Sequence, residues 1–231
     1  MNPGPAGAPG KMISNVPSTT NAPLFLTRLV SMTTALKLHQ ISVSETDNNC
    51  YLLAAGDEGL LIDAADDPDA LLKMAEEAGV TITTVLTTHR HADHVRALPA
   101  VLARTGATHF TSFLDSPALP AEVDVELEQG DVIDFAGHEL PVAILRGHTP
   151  GGACLAAEID GVVNLFVGDS LFPGGLGKTT SESDFVRLFK DVTERLFNVH
   201  GDDAIVHPGH GDDTTLGAER PQLDVWWERR W

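Results

Sequence analysis

The sequence predicts an α/β (α+β) domain built as a four-layer αββα sandwich. The chain has 231 residues, 42% of them apolar, which suits one domain with a well-formed core. Short β-branched segments recur in two halves of the chain, and helical patterns accompany each half. Two β-rich halves with their own helices are typical of two packed sheets covered by helices on both outer faces.

Three short strands open the predicted domain, and a helix follows them. The strands are predicted at Leu36–Val43, Cys50–Ala54 and Gly59–Asp63, with polar turn residues between them. Asp67 then provides an N-cap, Pro68 occupies the first helical position, and Gly79 ends the helix.

The next strand and helix flank a histidine-rich segment. A β-branched strand is predicted at Thr83–Thr88, directly before the histidines. A second helix is predicted at Val95–Arg104, ended by Gly106. The histidine-rich segment therefore forms the turn between these two elements.

The second half repeats the alternation of strands and helices. Strands are predicted in Thr108–Phe113, a β-rich stretch Val123–Leu145, Gly152–Ile159, Val162–Val167 and Ala204–His207. The clearest helix is Ser181–Asn198, where apolar residues recur at helical spacing. That apolar stripe is interpreted as core packing, with no cofactor motif in it.

Both ends of the chain differ from the predicted domain, which covers residues 34–231. Residues 1–33 are rich in Pro, Gly, Ser, Thr and Asn without a sustained period, so we predict a disordered tail. Met32 offers an alternative start of the protein. Near the other end, Trp226, Trp227 and Trp231 are expected to pack onto the body through apolar contacts.

Composition excludes several classes of function. The net charge is −18, and an acidic body repels phosphate backbones, so we expect no nucleic-acid partner. No stretch approaches the roughly 20 apolar residues of a membrane span, so no membrane partner is expected. Two cysteines, Cys50 and Cys154, give no disulfide framework and indicate a reducing, cytoplasmic location. The oligomeric state is left open.

Four metal-binding side chains lie within the six residues H-R-H-A-D-H at 89–94. Neutral imidazoles and carboxylates are standard ligands of borderline divalent metals. In a turn after a strand, alternate residues can converge on one ion while the next pair faces another. The spacing therefore predicts a metal site formed by His89, His91, Asp93 and His94.

Three later residues have the same sequence context. His148, Asp169 and His210 each follow a predicted strand and lie beside glycine. Glycine at such turns allows backbone and ligand to approach closely. The ordered set of three predicts further ligands for the same site.

This arrangement resembles the signature of the metallo-β-lactamase superfamily, which is H-x-H-x-D-H followed by a distal His, a distal Asp and a final His. The resemblance extends over roughly residues 36–210. It implies two divalent ions, the first bound by His89, His91 and His148, the second by Asp93, His94 and His210, with Asp169 bridging both. It also implies that Asp63 orients the histidine loop without binding metal.

The resemblance implies a hydrolytic mechanism. Water bound to such ions has a pKa on the order of 7 and becomes a hydroxide nucleophile. The ions also polarise a carbonyl and stabilise the developing oxyanion. Asp93, which would orient the attacking water, and Asp169 are the candidate catalytic residues. The N and O donors suit Zn²⁺ best and are compatible with Fe²⁺ or Mn²⁺, because no thiolate selects a softer metal.

Two features point to one branch of the superfamily. Asp169 favours the glyoxalase II-like, lactonase-like and persulfide dioxygenase-like branches, because the best-known β-lactamases of this fold have Cys or another residue there. The segment 168–178 is similar to the G-D-[ST]-L-F…G-x-G-[KR] motif of hydroxyacylglutathione hydrolases. This similarity implies that Lys178 contacts the thiol carrier of a small-molecule acyl thioester or related ester.

Three features depart from the glyoxalase II pattern. Arg90 stands where that family usually has His, and Thr180 stands where it has an aromatic residue. Only 21 residues follow His210, which leaves no room for the helical domain that helps to hold glutathione. These departures weaken the case for glutathione and leave a smaller or different thiol carrier open.

Two other reactions and one non-catalytic role remain open. A persulfide dioxygenase would bind a single Fe²⁺ through His89, His148 and Asp169 and would consume oxygen. A lactonase would open a cyclic ester with the same hydroxide, and Tyr51 is the only tyrosine that could assist. The non-enzymatic alternative is a metal-binding or redox-sensing module on the same fold.

Overall fold

The computed structural model describes residues 34–230, which contain two six-stranded sheets. The first sheet has strands Lys37–Val43 (β1), Asn48–Ala55 (β2), Glu58–Ile62 (β3), Thr81–Leu86 (β4), Thr108–Ser112 (β5) and Val125–Leu127 (β6). After it come Val132–Phe135 (β7), His138–Leu145 (β8), Gly152–Ile159 (β9), Val162–Gly168 (β10), a hairpin of Leu171–Phe172 (β11) and Gly175–Leu176 (β12), Ile205–Pro208 (β13) and Thr214–Thr215 (β14). The tail predicted for residues 1–33, and Trp231, lie outside the described residues.

The strand order brings parallel pairs into both sheets. In the first sheet the strands follow chain order, with β1 to β3 antiparallel and β3 to β6 parallel. The second sheet has the order β14-β13-β10-β9-β8-β7, in which β10 and β13 are the parallel pair. In each sheet, the parallel strands therefore have their carboxyl ends at the same edge of the sheet.

The helices begin where the sequence provides caps. They are Pro68–Ala78 (α1), Leu98–Thr105 (α2), Glu182–Val192 (α3), Leu216–Glu219 (α4) and Leu223–Arg229 (α5). The Asp67 carboxylate accepts a 3.1 Å hydrogen bond from the backbone N–H of Ala70, and the Ser181 hydroxyl accepts one from Asp184 at the start of α3. Among the described residues, no helix is long and apolar enough to cross a membrane.

Three apolar cores produce the four layers. Side chains alternate along β2, so Tyr51 and Leu53 face the core between the sheets. Cys50 and Leu52, on the other face of β2, pack in the core beneath α1 and α2. A third core joins the outer face of the second sheet to α3 and to Trp226 of α5. The predicted αββα sandwich is confirmed.

Several element boundaries differ from the prediction: β4 ends at Leu86 rather than Thr88, and α3 ends at Val192 rather than Asn198, where a π-helical turn, Thr193–Phe197, follows it. The second helix begins at Leu98 rather than Val95, because Ala92–His94 forms a separate 3₁₀ turn. Pro99 then occupies the first turn of α2, where its missing N–H breaks no helical hydrogen bond. The sequence analysis also missed the β11–β12 hairpin and the short helices α4 and α5, which are too short to show a clear hydrophobic period.

Substitution of Trp226 tests how the C-terminal segment is held. Trp226 is 1% exposed in the third core, whereas Trp227 is 39% exposed. We expect Trp226→Ala to lower the free energy of unfolding by about 3–5 kcal/mol, because it leaves a cavity. Trp227→Ala is the matched control, with a clearly smaller loss in urea denaturation. Equal losses for the two variants would contradict this packing.

Candidate metal centre

The predicted site residues lie at one edge of the sandwich. They follow β3 (Asp63), β4 (His89, His91, Asp93 and His94), β8 (His148), β10 (Asp169) and β13 (His210). The parallel pairs β3–β4 and β10–β13 bring the carboxyl ends of these strands together. Loops at the carboxyl ends of neighbouring strands therefore converge, although their residues are far apart in the sequence.

A first cluster contains His89, His91, His148 and Asp169. Nδ1 of His91 lies 3.1 Å from Nε2 of His89 and 3.0 Å from Nε2 of His148. Oδ2 of Asp169 lies 3.6 Å from Nε2 of His148 and 4.0 Å from Nε2 of His89. Four donor atoms thus face one small volume.

A second cluster contains Asp93, His94 and His210. Nε2 of His210 lies 3.1 Å from Nε2 of His94 and 3.2 Å from Oδ2 of Asp93. Asp169 adjoins this cluster as well, with Oδ1 at 3.5 Å from Nε2 of His94 and Oδ2 at 3.6 Å from Nε2 of His210. The carboxylate of Asp169 therefore lies between the two clusters.

The spacing of the donor atoms fits divalent cations. Two nitrogens bound to one metal at about 2.0–2.1 Å are roughly 2.9–3.4 Å apart for tetrahedral to octahedral angles. The imidazole pairs above lie within this range. Oδ1 of Asp169 is buried and has no hydrogen-bond partner among the described residues, which is costly for a carboxylate unless a cation lies beside it.

Hydrogen bonds on the outer side of two rings fix their tautomers. Nδ1 of His148 lies 2.7 Å from the backbone oxygen of Lys178, and Nδ1 of His210 lies 2.7 Å from that of Thr46. A carbonyl oxygen only accepts, so each Nδ1 carries the proton. The Nε2 atoms of these neutral rings then present lone pairs to the clusters, as metal ligands require.

Asp63 joins the two clusters from behind. Its side chain is buried, and it accepts hydrogen bonds of 2.7 Å from both the backbone N–H and the hydroxyl of Thr88. It also lies 2.9 Å from Nδ1 of His94, while the Thr88 hydroxyl lies 3.0 Å from Nδ1 of His89. One carboxylate thus orients a ring of each cluster. The backbone of Asp63 has φ of 59°, a left-handed conformation that Asp and Asn tolerate better than most residues.

Asn48 is a site residue that the sequence analysis missed. Its Nδ2 donates a 3.0 Å hydrogen bond to Oδ2 of Asp93 and lies 3.3 Å from Nε2 of His210. Its Oδ1 accepts hydrogen bonds from the hydroxyls of Ser44 and Thr46, at 2.6 and 2.7 Å. In the sequence, Asn48 is one of several polar turn residues before β2, so its burial beside the second cluster gave no local signal.

Glycine allows the last loop to approach the ligands. A Cβ on Gly209 would lie 2.3 Å from Oδ1 of Asp169 and 2.6 Å from Cε1 of His94. No side chain fits at these distances. The glycine before His210 therefore has the close-approach role that the sequence pattern predicts.

Burial and neighbouring charge prepare most donors as ligands. Burial lowers the pKa of His148. The pKa of His89 is lowered by burial and, in addition, by the charges of His94 and His148. Burial alone would raise the pKa of Asp93, but the hydrogen bond from Asn48 and the nearby imidazoles hold it below its ordinary value. Neutral imidazoles and an ionised carboxylate are the forms that bind metal.

His94 differs from the other imidazoles. Burial lowers its pKa, but contacts with the carboxylates of Asp169, 3.5 Å away, and Asp63, 2.9 Å away, outweigh burial and raise the pKa to about 10. The same contact with His94 overcomes burial at Asp169 and keeps its pKa below the ordinary value. Without a cation, His94 therefore holds a proton between two carboxylates, and a cation in the second cluster would replace that proton.

Lys178 lies beside the first cluster through its backbone rather than its side chain. Its carbonyl oxygen accepts the hydrogen bond from His148, whereas its side chain is exposed. The side chain lines a cavity of about 540 Å³ with Thr180 and Arg230. Lys178 is thus available to a substrate that extends beyond the clusters.

Comparison with known proteins gives a family match over most of the domain. The family model described as Metallo-beta-lactamase superfamily matches residues 43–210. Proteins named hydroxyacylglutathione hydrolase from Maricaulis maris and Anaeromyxobacter dehalogenans are 36% and 37% identical over 58% and 71% of this chain. The matches span 51% and 61% of those relatives' own length. The hydroxyacylglutathione hydrolase GloC of Haemophilus influenzae is 28% identical over 80% of this chain and 95% of its own length.

Solved structures agree with the fold. A B3 metallo-beta-lactamase, BLEG-1, superposes with a TM-score of 0.74 at 22% identity over 82% of this chain and 99% of its own. TTHA1623, crystallised in a di-iron-bound form, has a TM-score of 0.66 at 28% identity over 79% of this chain and 96% of its own. ETHE1 from Myxococcus xanthus also has a TM-score of 0.66, at 29% identity over 80% of this chain and 81% of its own.

Asp63→Asn tests the orienting carboxylate. The amide keeps the size of Asp63 and tolerates its left-handed backbone, but its NH2 group replaces one of the two oxygens that accept hydrogen bonds from Thr88 and His94, and an NH2 group cannot accept. We expect Zn²⁺ affinity, measured by competition with a chelating dye, to fall about 10- to 100-fold. Asp66→Asn, at an exposed residue paired with Arg96, is the control with wild-type affinity. Wild-type affinity in both variants would refute the orienting role.

Proposed function

The chain belongs to the metallo-beta-lactamase superfamily, and on that premise we propose that it is a metal-dependent hydrolase that cleaves a small acyl thioester. The observation that carries the proposal is the carboxylate of Asp169, which lies between two clusters of donor atoms. A carboxylate in this position can bridge two cations, and paired cations suit hydrolysis of a carbonyl compound.

The ligand assignment follows the two clusters. We assign one cation to His89, His91 and His148, the other to Asp93, His94 and His210, and Asp169 to both. Zn²⁺ is the proposed metal, and Fe²⁺ and Mn²⁺ suit the same N and O donors; the similar protein TTHA1623 binds two irons. Such cations polarise a carbonyl oxygen and lower the pKa of water to about 7.

The side chains of the second cluster supply proton handling. The carboxylate of Asp93 is about 29% exposed, so a water molecule can reach it, and Asn48 holds one of its oxygens in place. We propose that Asp93 orients the attacking water and accepts its proton. Asp169 is the more buried carboxylate, about 12% exposed, and it holds the two clusters in register.

A thioester suits this site better than an ordinary ester. The pKa of a thiol is about 8.5, so a thiolate leaves without prior protonation, whereas an alkoxide needs an acid beside it. The relatives named hydroxyacylglutathione hydrolase support this substrate class. At two positions this chain departs from the family pattern, with Arg90 where His is usual and Thr180 where an aromatic residue is usual. We therefore propose a small thiol carrier near Lys178 rather than glutathione itself.

Cysteine chemistry supports a cytoplasmic location for this reaction. Cys50 and Cys154 are both free and buried. Free thiols persist in reducing compartments, so we propose that the hydrolase acts in the cytoplasm. We also propose that it acts on a small molecule and has no nucleic-acid or membrane partner.

The persulfide dioxygenase alternative uses only part of the arrangement. A single Fe²⁺ at His89, His148 and Asp169 would leave the second cluster without a cation. Nε2 of His94 and Nε2 of His210, which lie 3.1 Å apart, would then have each other and the amide of Asn48 as close partners in place of a cation. Oxygen uptake with a thiol persulfide would identify this reaction, turnover of cyclic esters alone would identify a lactonase, and metal binding without turnover would identify a binding module.

Asp169→Asn tests the bridging carboxylate. The amide removes the negative charge shared by the clusters, so we expect bound Zn²⁺ to fall from two ions per chain to one. Thioester hydrolysis should fall about 100-fold or more, because the charge that holds both cations is lost. Elemental analysis and a thiol-release assay measure the two effects.

The control for this variant is Asp160→Asn, in the exposed turn between β9 and β10. It makes the same chemical change on the same sheet and should keep two ions and full activity. An Asp169→Asn protein with two ions and wild-type turnover would overturn the bridging role.

A further inference from the structure

A cavity rich in arginine opens beside the first cluster. It has a volume of about 490 Å³, and its walls include His91 and His148 together with Arg90, Arg146 and Arg187. We call this cavity the arginine pocket. The chain has only 15 Lys and Arg against 33 Asp and Glu, so three arginines around one cavity are a local concentration of cationic side chains in an acidic molecule. A substrate bound at the first cluster can reach this pocket directly, because the two share a wall.

Arg187 is the arginine with the most freely available charge. It projects from the first half of α3, and its side chain is exposed. Among residues 34–230, no carboxylate lies within 4.0 Å of its guanidinium. Its donors can therefore bind an incoming group without first breaking an ion pair.

Arg90 is held in place by its backbone rather than by its side chain. The backbone N–H of Arg90 donates a 3.1 Å hydrogen bond to Asp115, which is fully buried. Asp115 also accepts a 3.1 Å hydrogen bond from the backbone of Gly151, and its Oδ1 lies 4.0 Å from Nε of Arg90. The loop is thus fixed while the end of the Arg90 side chain, 40% exposed, remains available.

Arg146 shapes the pocket more than it binds a ligand. Its Nε and a terminal nitrogen donate hydrogen bonds of 2.7 and 2.8 Å to the buried carboxylate of Asp191. Asp191 also forms an ion pair with Arg195 at 3.2 Å, so two arginines share one carboxylate there. The guanidinium of Arg146 is therefore held in a fixed position in the wall of the pocket.

One carboxylate opposes these cations inside the pocket. Asp184 accepts hydrogen bonds from the hydroxyls of Thr180 and Ser181, at 3.0 and 2.7 Å. These bonds, with the charge of Arg187, hold its pKa below the ordinary value, so it stays ionised. Asp184 lines the cavity with the three arginines, and Asp115 and Asp191 lie behind its wall against Arg90 and Arg146. These carboxylates offset most of the arginine charge, so what the pocket offers an anion is the available hydrogen-bond donors of Arg90 and Arg187.

We infer that the arginine pocket binds an oxyanion, such as a carboxylate, carried by the substrate, with Arg90 and Arg187 as the recognition residues. Guanidinium groups bind carboxylates through paired hydrogen bonds, which explains two arginines with available donors. The inference rests on the proposed hydrolase, because it places the reacting carbonyl at the clusters. It narrows the substrate class to thioesters with an anionic end.

The test compares matched anionic and neutral substrates on the zinc-loaded enzyme. One pair varies the acyl end, as the succinyl and pentanoyl thioesters of one neutral thiol. The other pair varies the thiol end, as the acetyl thioesters of 3-mercaptopropionate and butanethiol. For each pair, the measured quantity is the ratio of kcat/KM for the anionic substrate to that for the neutral one.

In at least one pair, wild-type enzyme should prefer the anionic substrate, and the pair that shows the preference identifies the end that enters the pocket. The Arg90→Gln/Arg187→Gln double variant should lower that ratio about tenfold, consistent with loss of two partly exposed charge contacts. Arg104→Gln changes an exposed arginine at the end of α2 that is paired with Asp69 of α1 and is not among the residues that line the arginine pocket, so it is the control with the wild-type ratio. A double variant with the wild-type ratio in both pairs would overturn the inference.

A binding experiment distinguishes failure of the hydrolase proposal from failure of the pocket proposal. If no thioester is cleaved, calorimetry with the corresponding non-hydrolysable thioethers tests the pocket alone. Tighter binding of an anionic thioether by wild type, lost about tenfold in the double variant, would support the pocket and refute the hydrolase. Equal binding of anionic and neutral thioethers by wild type would refute the pocket.

Discussion

The carboxylate of Asp169 is the contact on which the architecture of the site depends. It follows β10 and lies within 4.0 Å of Nε2 in His89, His148 and His210. Its buried Oδ1 has no hydrogen-bond partner among the described residues, so without a metal ion the charge of protonated His94, 3.5 Å away, would have to stabilise it. Around it, hydrogen-bond acceptors such as Asp63 hold the ring nitrogens that point away from the clusters. The other nitrogens of these rings can therefore present their lone pairs to one small volume.

The sequence predicted the parts that depend on local signals. The cap at Asp67 and the stop at Gly79 place α1 correctly, and the ligand positions follow predicted strands in a motif with fixed order. Convergence of these positions is a consequence of the parallel strand pairs, which the sequence analysis did not predict. The short helices α4 and α5 lack the length for a readable period, and the 3₁₀ turn at Ala92–His94 moved the start of α2.

The missed site residues are polar groups whose role depends on tertiary neighbours. Asn48 and Asp115 are ordinary turn residues in the sequence, yet both are buried in the fold, one beside the second cluster and one beneath the histidine loop. Arg90 and Arg187 line the same cavity because α3 packs beside the loops at the carboxyl ends of the strands. Composition showed an acidic molecule, and only the fold shows where its cations are gathered. In our proposal, Arg90 and Arg187 connect the candidate metal centre to substrate choice, because the arginine pocket shares His91 and His148 with the first cluster.

Stepwise titration of metal-free protein with Zn²⁺, with cations bound and thioester hydrolysis measured at every point, tests the central claim most directly. Two cations bridged by Asp169 predict that binding saturates at two equivalents and that most activity appears with the second. Saturation of binding and activity at one equivalent would contradict the paired site. Full activity with a single Fe²⁺, accompanied by oxygen uptake, would contradict the hydrolase itself.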